Sequence, residues 1–282
     1  MTTPCVSIIM SSFNPSDPAE LHDAVMSLVA QSMTDWELIL YDDGSSEPGA
    51  IRKAAELDKR IRYFRSEVNH GLAYSLNQCI ALARGALIAR MDDDDLSHPD
   101  RLEKQVRFLR EHPDTAWVGS QAWLMDDGGI WGTHMAPAEP GPRDYLHHSP
   151  YIHPSVMFRR EALENSGCYA VSPLTLRCED YELFMRLTAS GLHGCNLPDK
   201  LLYYRERRDR LTKRSFRSCF CELLIRFRGF RSLNLLGLAT FPYLLKPMLV
   251  WVSTLIPGAA QRFRLKYSAG IESNQDGDCH EC

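Results

Sequence analysis

Residues 86–96 read ALIARMDDDDL, a mostly apolar run that ends on four consecutive aspartates. Residues 5–14, CVSIIMSSFN, and residues 36–46, WELILYDDGSS, have the same form. In each segment a short apolar run of the kind typical of a buried β-strand is followed at once by polar residues. These three segments decide the fold.

Helical spacing of apolar residues fills the intervals between the strands. Residues 17–31 place Leu21, Val25 and Leu28 on one face, as an amphipathic helix does. Three further helices are predicted at residues 49–57, 71–84 and 99–111, and a further strand at residues 61–65.

The resulting order β-α-β-α-β-α-β-α predicts an α/β fold with a parallel sheet covered by helices. Ligands of such sheets bind beyond the carboxyl ends of the strands, and the polar clusters at residues 11–14, 42–46 and 92–95 fall at those ends. From residue 115 to about residue 204 the pattern loosens, with Gly- and Pro-rich loops at 126–142 and one clear helix at 179–190.

The composition is that of a globular protein, with 282 residues, 44% of them hydrophobic and 24% charged. The net charge of -4 is unevenly distributed, because residues 205–266 hold 14 basic and 3 acidic residues. Such a segment attracts anions. Nine cysteines without a regular framework, and a start with no visible signal peptide, favour free thiols in a reducing cytosol. The terminal residues 279–282, CHEC, could be metal ligands or a frayed tail.

Four adjacent carboxylates repel one another unless a cation lies between them. Carboxylate oxygens suit Mg²⁺ or Mn²⁺, so residues 92–95 are a candidate metal site. The alternative is a solvated acidic loop that caps the following helix.

Other polar residues also allow two interpretations. Asp43 could bind a base or ribose, or it could belong to an ordinary Asp-Gly turn. Glu179 and Asp180 could favour a helix dipole, or one of them could be a general base. His153 could be structural or catalytic.

The motifs together resemble family 2 glycosyltransferases of the GT-A fold, over about residues 4–205. The resemblance is carried by VSIIMSSFN, WELILYDDGS, NHGLAYSLNQCIALARGALIARMDDDD, LSHPDRLEKQ, IHPSVMFRREALENSGCYA and CEDYELFMRL, in this order. Bacterial transferases that build polysaccharide, O-antigen or lipooligosaccharide are the most similar members.

The resemblance implies a Rossmann-like nucleotide-binding half, an acceptor half, and inverting transfer from a nucleotide sugar to a glycan or polyprenyl-linked acceptor. A UDP-sugar is the first expectation, with GDP- and dTDP-sugars as alternatives. For the donor, the resemblance implies that Ser11 contacts the nucleoside, Asp43 the uracil, and Asp92 or Asp93 the ribose. Asp94 would ligate Mn²⁺ or Mg²⁺, and Asp180 would abstract the proton. His153 and Glu179 would belong to the acceptor or donor loop.

One residue departs from the family pattern. Many relatives carry a histidine shortly after the Tyr-Arg that follows the last strand, and here Arg207 stands at about that place. An arginine could contact the diphosphate directly.

Two other functions compete with this reading. A nucleotidyl or phosphoryl transferase would also use strand-end aspartates, but the sequence has no GxxxxGK[ST] loop. A catalytically silent nucleotide-sugar-binding protein would tolerate the loss of Asp94 and Asp180, both of which are present.

The predicted domains are residues 1–215, a basic and apolar helical segment at 216–266, and a polar tail at 267–282. Residues 233–260 are apolar but are interrupted by Pro242, Lys246 and Pro247, which argues against a spanning helix. We therefore expect membrane-associated helices in the interface, with Lys246 snorkelling. The boundary aromatics would be Phe227, Phe230, Phe241, Tyr243 and Trp251.

The alternative for this segment is a helical subdomain packed on the core. Its interleaved apolar residues favour lipid over nucleic acid as the partner. The expected location is the cytoplasmic face of the plasma membrane, with peripheral attachment.

Overall fold

The structure, a computed structural model, describes residues 3–207 and 215–254, the last two of these without their side chains. The strands are β1 (Val6–Ser12), β2 (Trp36–Asp42), β3 (Ile61–Arg65), β4 (Leu87–Arg90), β5 (Leu96–Ser97), β6 (Trp117–Asp126), β7 (Gly129–His134), β8 (Met157–Arg159) and β9 (Gly194–Arg205). The helices are α1 (Pro18–Val29), α2 (Gly49–Ala55), α3 (Leu72–Leu82), α4 (Arg101–Glu111), α5 (Arg160–Asn165), α6 (Glu179–Ala189), α7 (Phe216–Ser232) and α8 (Phe241–Thr254).

All nine strands belong to one sheet. Its order is β3-β2-β1-β4-β8-β6-β9-β5, and β7 pairs with the outer part of β6. Strands β3, β2, β1 and β4 are parallel neighbours, which is the Rossmann-like half predicted from the alternating pattern. Every residue of β2 and β4 is buried, as expected for parallel strands covered by helices on both faces.

The predicted boundaries in this half are confirmed within about two residues. The first helix begins after Asp17, whose carboxylate accepts the N–H of Ala19 at 2.8 Å as an N-cap. Helix α4 begins at Arg101, two residues later than predicted, and its N-cap residue Asp100 makes no side-chain capping bond.

The second half is a mixed sheet whose strands were not identified from the sequence. Strand β8 is antiparallel to β4 and to β6, and β9 runs parallel to β6. Strand β6 was not predicted because it contains buried polar residues, which interrupt the apolar pattern of a strand. The Gln121 amide nitrogen, for example, donates to Ala136 O at 3.0 Å and to Leu197 O at 3.2 Å. The pairing of β6 with β9 also shifts register around Ser120 and Gln121, which further weakens any simple alternation.

Helix α7 is packed against the core of the α/β fold. Arg226 is buried, pairs with Glu222 at 2.9 Å, and donates to Leu146 O at 2.9 Å. Phe230 is fully buried, and a side chain at Gly229 would overlap Met185 of α6. This half of the segment therefore shares the core, as the alternative interpretation expected.

Parts of the expected lipid interface are wrong in detail. Phe230 lies in the core, Tyr243 packs against it, and Lys246 donates to His147 O at 3.0 Å instead of snorkelling. Among the helices of residues 3–207 and 215–254, none combines the length and apolar character needed to cross a bilayer. Residues 255–282, with the end of the basic segment and the CHEC tail, lie outside the described residues.

Close packing of β6 against β9 generates a stability prediction. Gly194 is the register partner of the fully buried Trp117, and a Cβ at this position would overlap the indole ring. We expect Gly194→Ala to lower the free energy of unfolding by about 1–3 kcal/mol, measured from urea denaturation by circular dichroism. Gly49→Ala is the control, because a Cβ there meets nothing within 4 Å; equal urea midpoints for the two variants would contradict the packing described.

Candidate active site

Polar side chains from three parallel strands meet at the carboxyl edge of the sheet. The aspartate loop, residues 92–95, follows β4, Asp43 follows β2, and Ser11 and Ser12 end β1. The Ser12 hydroxyl donates to Asp93 Oδ2 at 2.6 Å, so β1 holds the loop directly. Ser11 is half-buried at the same strand end.

Three carboxylates of the aspartate loop converge. Asp92, Asp94 and Asp95 each offer an oxygen, and these oxygens lie within 4.8 Å of one another. Asp95 is 1% exposed; its Oδ1 accepts the N–H of Arg205 at 2.8 Å, whereas its buried Oδ2 has no hydrogen-bond partner in the described part of the chain. An orphaned buried oxygen beside two further carboxylates fits a hard dication such as Mg²⁺ or Mn²⁺.

The pKa values of the loop carboxyl groups also fit a cation site. Burial, reinforced by the charges of Asp92 and Asp93, raises the pKa of Asp94 to about 7. Burial also raises the pKa of Asp93 to about 6 and that of Asp95 well above its usual value. The protein therefore leaves these carboxylates short of positive charge, which a bound cation would supply.

Two buried arginines lie beneath the loop. Arg90, at the end of β4, is 2% exposed and its Nη1 pairs with Asp92 Oδ1. Arg101 is 1% exposed and donates from Nη2 to Arg90 O at 2.7 Å and from Nε to Gln105 Oε1 at 3.1 Å. Arg90 thus serves a carboxylate of the site, while Arg101 braces the main chain.

The end of β9 holds the loop from the mixed half of the sheet. Arg205 donates from Nε to Asp94 O at 2.9 Å and lies 3.3 Å from Glu20 of α1. Arg207, which stands where relatives often have histidine, also pairs with Glu20. Glu20 is 6% exposed, so this three-residue cluster is an interior contact between the two halves of the fold.

Asp43 occupies a separate position at the same edge. It is 2% exposed and its two oxygens accept the N–H groups of His70 at 3.0 Å and Gly71 at 2.8 Å. The turn itself is closed by Asp42, whose Oδ1 accepts from Ser45 N at 2.8 Å. Oδ1 is also 3.4 Å from the Ser66 hydroxyl, whereas Oδ2 keeps a second lone pair that can accept a further hydrogen bond from a ligand.

The Glu-Asp pair begins α6, and Asp180 interacts electrostatically with Arg90 at the end of β4. Burial raises the pKa of Asp180 to about 6, and the neighbouring Glu179 adds to the rise. A carboxylate with a pKa near 6 is suited to accept a proton at neutral pH.

His153 lies in a short helical turn (His153–Ser155) that precedes β8. Its Nε2 and the Tyr169 hydroxyl are 2.7 Å apart. Burial, together with the charge of Arg90, lowers the pKa of His153 well below its usual value, so the ring is neutral. Asn77 fixes Tyr169 by two main-chain bonds of 2.8 and 2.9 Å.

A cleft of about 600 Å³ opens beside the Glu-Asp pair. It lies between the His70–Gly71 turn, the segment before α6 and the first turn of α7, and Glu179 lines it. The other polar lining residues include His70, Ser172, Thr175, Arg177, Arg217 and Ser218. Through Glu179, the cleft lies beside the start of α6, where Asp180 is the next residue.

The structure thus gathers Asp92, Asp93 and Asp94 at one loop, with Asp180 and His153 across from them and Asp43 apart. The residues missed by sequence reasoning are Arg90, Tyr169 and Glu20, and Asp95 was included in the candidate metal site without a role of its own. An arginine inside an apolar strand is unusual unless it is paired, and that anomaly in ALIARM was the available signal for Arg90. The sequence holds no such signal for Glu20, because its partners Arg205 and Arg207 are distant in the chain.

Comparison with known proteins gives a consistent result. The family model for glycosyl transferase family 2 matches residues 7–167. The putative glycosyltransferase EpsE of Bacillus subtilis is 36% identical over 250 residues, covering 87% of this chain and 88% of EpsE. The amylovoran biosynthesis glycosyltransferase AmsE of Erwinia amylovora is 30% identical over 217 residues, covering 74% of this chain and 79% of AmsE.

Two solved structures share the fold. TarS 1-349 of S. aureus in complex with UDP-GlcNAc has a TM-score of 0.66 at 16% identity, covering 86% of this chain and 71% of TarS 1-349. The mannosyltransferase PcManGT from Pyrobaculum calidifontis, in complex with GDP-Man and Mn²⁺, has a TM-score of 0.62 at 15% identity, covering 95% of this chain and 81% of that one.

The predicted GT-A type of α/β architecture is therefore confirmed. With a family model that spans more than half of the sequence and a relative that matches almost its whole length, the chain belongs to glycosyl transferase family 2.

Proposed function

We propose that this protein is an inverting, metal-dependent glycosyltransferase that uses a nucleotide sugar, with UDP-sugars as the first candidates. The observation that carries the proposal is the convergence of oxygens of Asp92, Asp94 and Asp95 within 4.8 Å of one another, and it is supported by Arg90, which pairs with Asp92 and interacts with Asp180. TarS with UDP-GlcNAc and PcManGT with GDP-Man and Mn²⁺ support the donor class and the cation by their shared fold.

The donor would lie along the carboxyl edge of the sheet. Ser11 and Asp43 would contact the nucleoside, and Asp92 or Asp93 the ribose. Asp94, with Asp92 or Asp95, would hold the Mg²⁺ or Mn²⁺. When bound, this ion supplies the positive charge that stabilises the departing diphosphate.

Asp180 would take the proton from the acceptor hydroxyl as it attacks the anomeric carbon. The bond from that carbon to the diphosphate breaks as the new glycosidic bond forms, so attack from the opposite face inverts the configuration. Glu179 lines the proposed acceptor cleft. The neutral His153 would orient the hydroxyl group of Tyr169.

The acceptor class follows from the relatives and from the surface of the helical hairpin. AmsE is a biosynthetic transferase for amylovoran, and motifs of this kind occur in transferases of cell-surface polysaccharide. We therefore propose a glycan or a lipid-linked glycan as acceptor, reached at the cytoplasmic face of the membrane.

Helix α7 presents an apolar stripe flanked by arginines. Phe216, Phe220 and Phe227 are each more than 40% exposed and fall within about 40° of one another around a helix of 3.6 residues per turn. The exposed residues Arg217, Arg228 and Arg231 occupy the next ~80°. Phe216 also contacts Trp251 of α8, with ring centroids 4.9 Å apart.

We propose that this stripe, with the exposed Phe241 and Leu249 of α8, lies in the interface of an anionic membrane. Aromatic rings suit the headgroup boundary, and flanking arginines attract anionic lipid.

The donor assignment predicts release of free nucleotide from one nucleotide sugar. A panel of UDP-, GDP- and dTDP-sugars is incubated with Mn²⁺ or Mg²⁺, and liberated nucleotide is measured. Asp94→Asn should lower the rate by about 10²-fold or more by weakening the cation site, and EDTA should abolish it. Asp114→Asn is the control, because this exposed aspartate precedes β6 at the opposite edge of the sheet. Equal loss in both variants, or no donor bound with either metal, would refute the assignment.

The assignment of Asp180 predicts a pH profile for transfer to an acceptor. The base acts as a carboxylate, so at saturating Mn²⁺ kcat/KM should fall about tenfold per pH unit below its pKa of about 6 and level off above it. Asp180→Asn should lose about 10²–10⁴-fold of the rate and show no such limb. A wild-type profile that stays flat through pH 6 would exclude Asp180 as the base.

The membrane assignment predicts salt-sensitive flotation with vesicles. Full-length protein should bind vesicles of phosphatidylglycerol and phosphatidylcholine, bind pure phosphatidylcholine less, and dissociate at high salt. Phe220→Ser with Phe227→Ser should weaken binding by about tenfold or more, since each phenyl ring buried is worth ~1.5–3 kcal/mol. Ile130→Ser, which alters an exposed side chain on β7, should bind like wild type; equal binding by the double variant would remove the stripe from the interface.

A further inference from the structure

We propose, on the basis of the metal site proposed above, that Arg90 is a positioning residue: it is the resident counter-charge of the aspartate loop, and it competes with the dication for Asp92. Arg90 thereby sets how tightly the loop holds its ion.

The first observation is a buried charge with one acidic partner. Arg90 is 2% exposed, and its Nη1 pairs with Asp92. Within residues 3–207 and 215–254 this is the one ion pair between a basic side chain and the loop. Arg205 reaches the loop through the Asp94 carbonyl and its own N–H, and its charge is matched by Glu20. A buried guanidinium is costly without a paired charge, so Arg90 depends on Asp92 as much as Asp92 depends on Arg90.

The second observation is that the main chain of Arg90 is held on both sides while its side chain is enclosed. Its N–H donates to Val156 O at 2.9 Å, and its carbonyl accepts from Arg101 at 2.7 Å. Its Nε and Nη1 are buried and have no hydrogen-bond partner among the described residues, so the contact with Asp92 is one of charge. The titratable groups that interact with the guanidinium are Asp92, Asp93, Asp94, Asp95, His153, Tyr169 and Asp180.

The Asp92 carboxylate would therefore be shared between Arg90 and the dication. One of its carboxylate oxygens belongs to the group of three that lie within 4.8 Å of one another, and its Oδ1 pairs with Arg90. A dication held by this group would stand close to the guanidinium, and like charges in a partly buried site repel strongly. Arg90 thus holds the loop in place when no ion is bound, and it weakens the binding of the ion.

Weak ion binding has a use in the proposed reaction. A cation that binds weakly to the aspartate loop stays bound mainly while a diphosphate also ligates it. It can then leave with the nucleotide after transfer.

The test is the affinity for Mn²⁺ alone, without donor, measured from the electron paramagnetic resonance signal of the free ion. Arg90→Met removes the charge and keeps much of the volume, so it should bind Mn²⁺ about tenfold more tightly than wild type. Arg90→Lys keeps the charge and should stay within about twofold. Arg90→Gln is included because a polar side chain is better tolerated if the methionine variant does not fold, and it should also bind more tightly.

A double-mutant cycle separates action through Asp92 from a general loss of charge. In an Asp92→Asn background, Arg90→Met should change Mn²⁺ affinity by less than about threefold, because the contested carboxylate is gone. Arg101→Met is the matched control, since Arg101 is equally buried but bonds to Arg90 O and Gln105 and pairs with no loop carboxylate. Its effect on affinity should be small and independent of Asp92.

The outcomes are distinguishable from failure of the proposed function. If Asp94→Asn abolishes Mn²⁺ binding while Arg90→Met and Arg90→Gln bind no more tightly than wild type, the role of Arg90 is refuted and the metal site stands. If wild type and every variant fail to bind Mn²⁺, both the role of Arg90 and a loop site for the free ion are refuted. A gain that persists fully in the Asp92→Asn background would refute competition for Asp92.

Discussion

Four adjacent carboxylates at one sheet edge are stable as a group only where positive charge is held against them. The fold supplies that charge from beneath and from the side. Arg90 pairs with Asp92 from inside β4; at the end of β9 the Arg205 guanidinium donates to Asp94 O, and the Arg205 main-chain N–H donates to Asp95 Oδ1. The supply is incomplete, since the pKa of Asp94 is still raised to about 7. That deficit is the physical basis of the proposed cation site, and contacts from both halves of the sheet surround it.

Maintaining it requires both halves of the sheet. The parallel half delivers the aspartate loop on β4, whereas Arg205 arrives on β9, more than one hundred residues later in the chain. Antiparallel β8 joins the halves by pairing with both β4 and β6, and this direction brings the His153 turn to the same edge as the loop. Buried Glu20 of α1 then binds both Arg205 and Arg207. The two halves of the site therefore share buried charge as well as a sheet.

The sequence was sufficient for the parallel half because its signals are local. Apolar strands, helical spacing and strand-end aspartates appear within short windows, and predicted and observed elements agree there within about two residues. Strands β6 and β9 escaped detection because Gln121 and its neighbours are buried polar residues whose partners, such as Leu197, come from distant segments. The same limit applies to the site. The loop could be located from Asp92–Asp95 in the sequence, but the contact of Asp93 with Ser12 and the clamp of Tyr169 by Asn77 depend on tertiary structure. The exposed aromatic residues of α7 were only partly predicted, because helical spacing alone does not say that Phe230 is buried and that Phe227 is exposed.

Arg207 shows how a departure from a family pattern is accommodated. A histidine at this place is charged only near or below its pKa, whereas an arginine is charged at every physiological pH. A permanent extra charge beside the loop would be redundant with Arg205 unless it were matched, and Glu20 matches it. The Arg205 guanidinium, which donates to the carbonyl of Asp94, also lies 3.6 Å from Asp127 Oδ1, so the two arginines at the end of β9 are paired with the carboxylates of Glu20 and Asp127. An anionic diphosphate at this edge would thus meet a guanidinium that is already oriented by a buried carboxylate. The arginine side chain is then already ordered in the folded protein, so ligand binding does not lose the conformational entropy of that side chain.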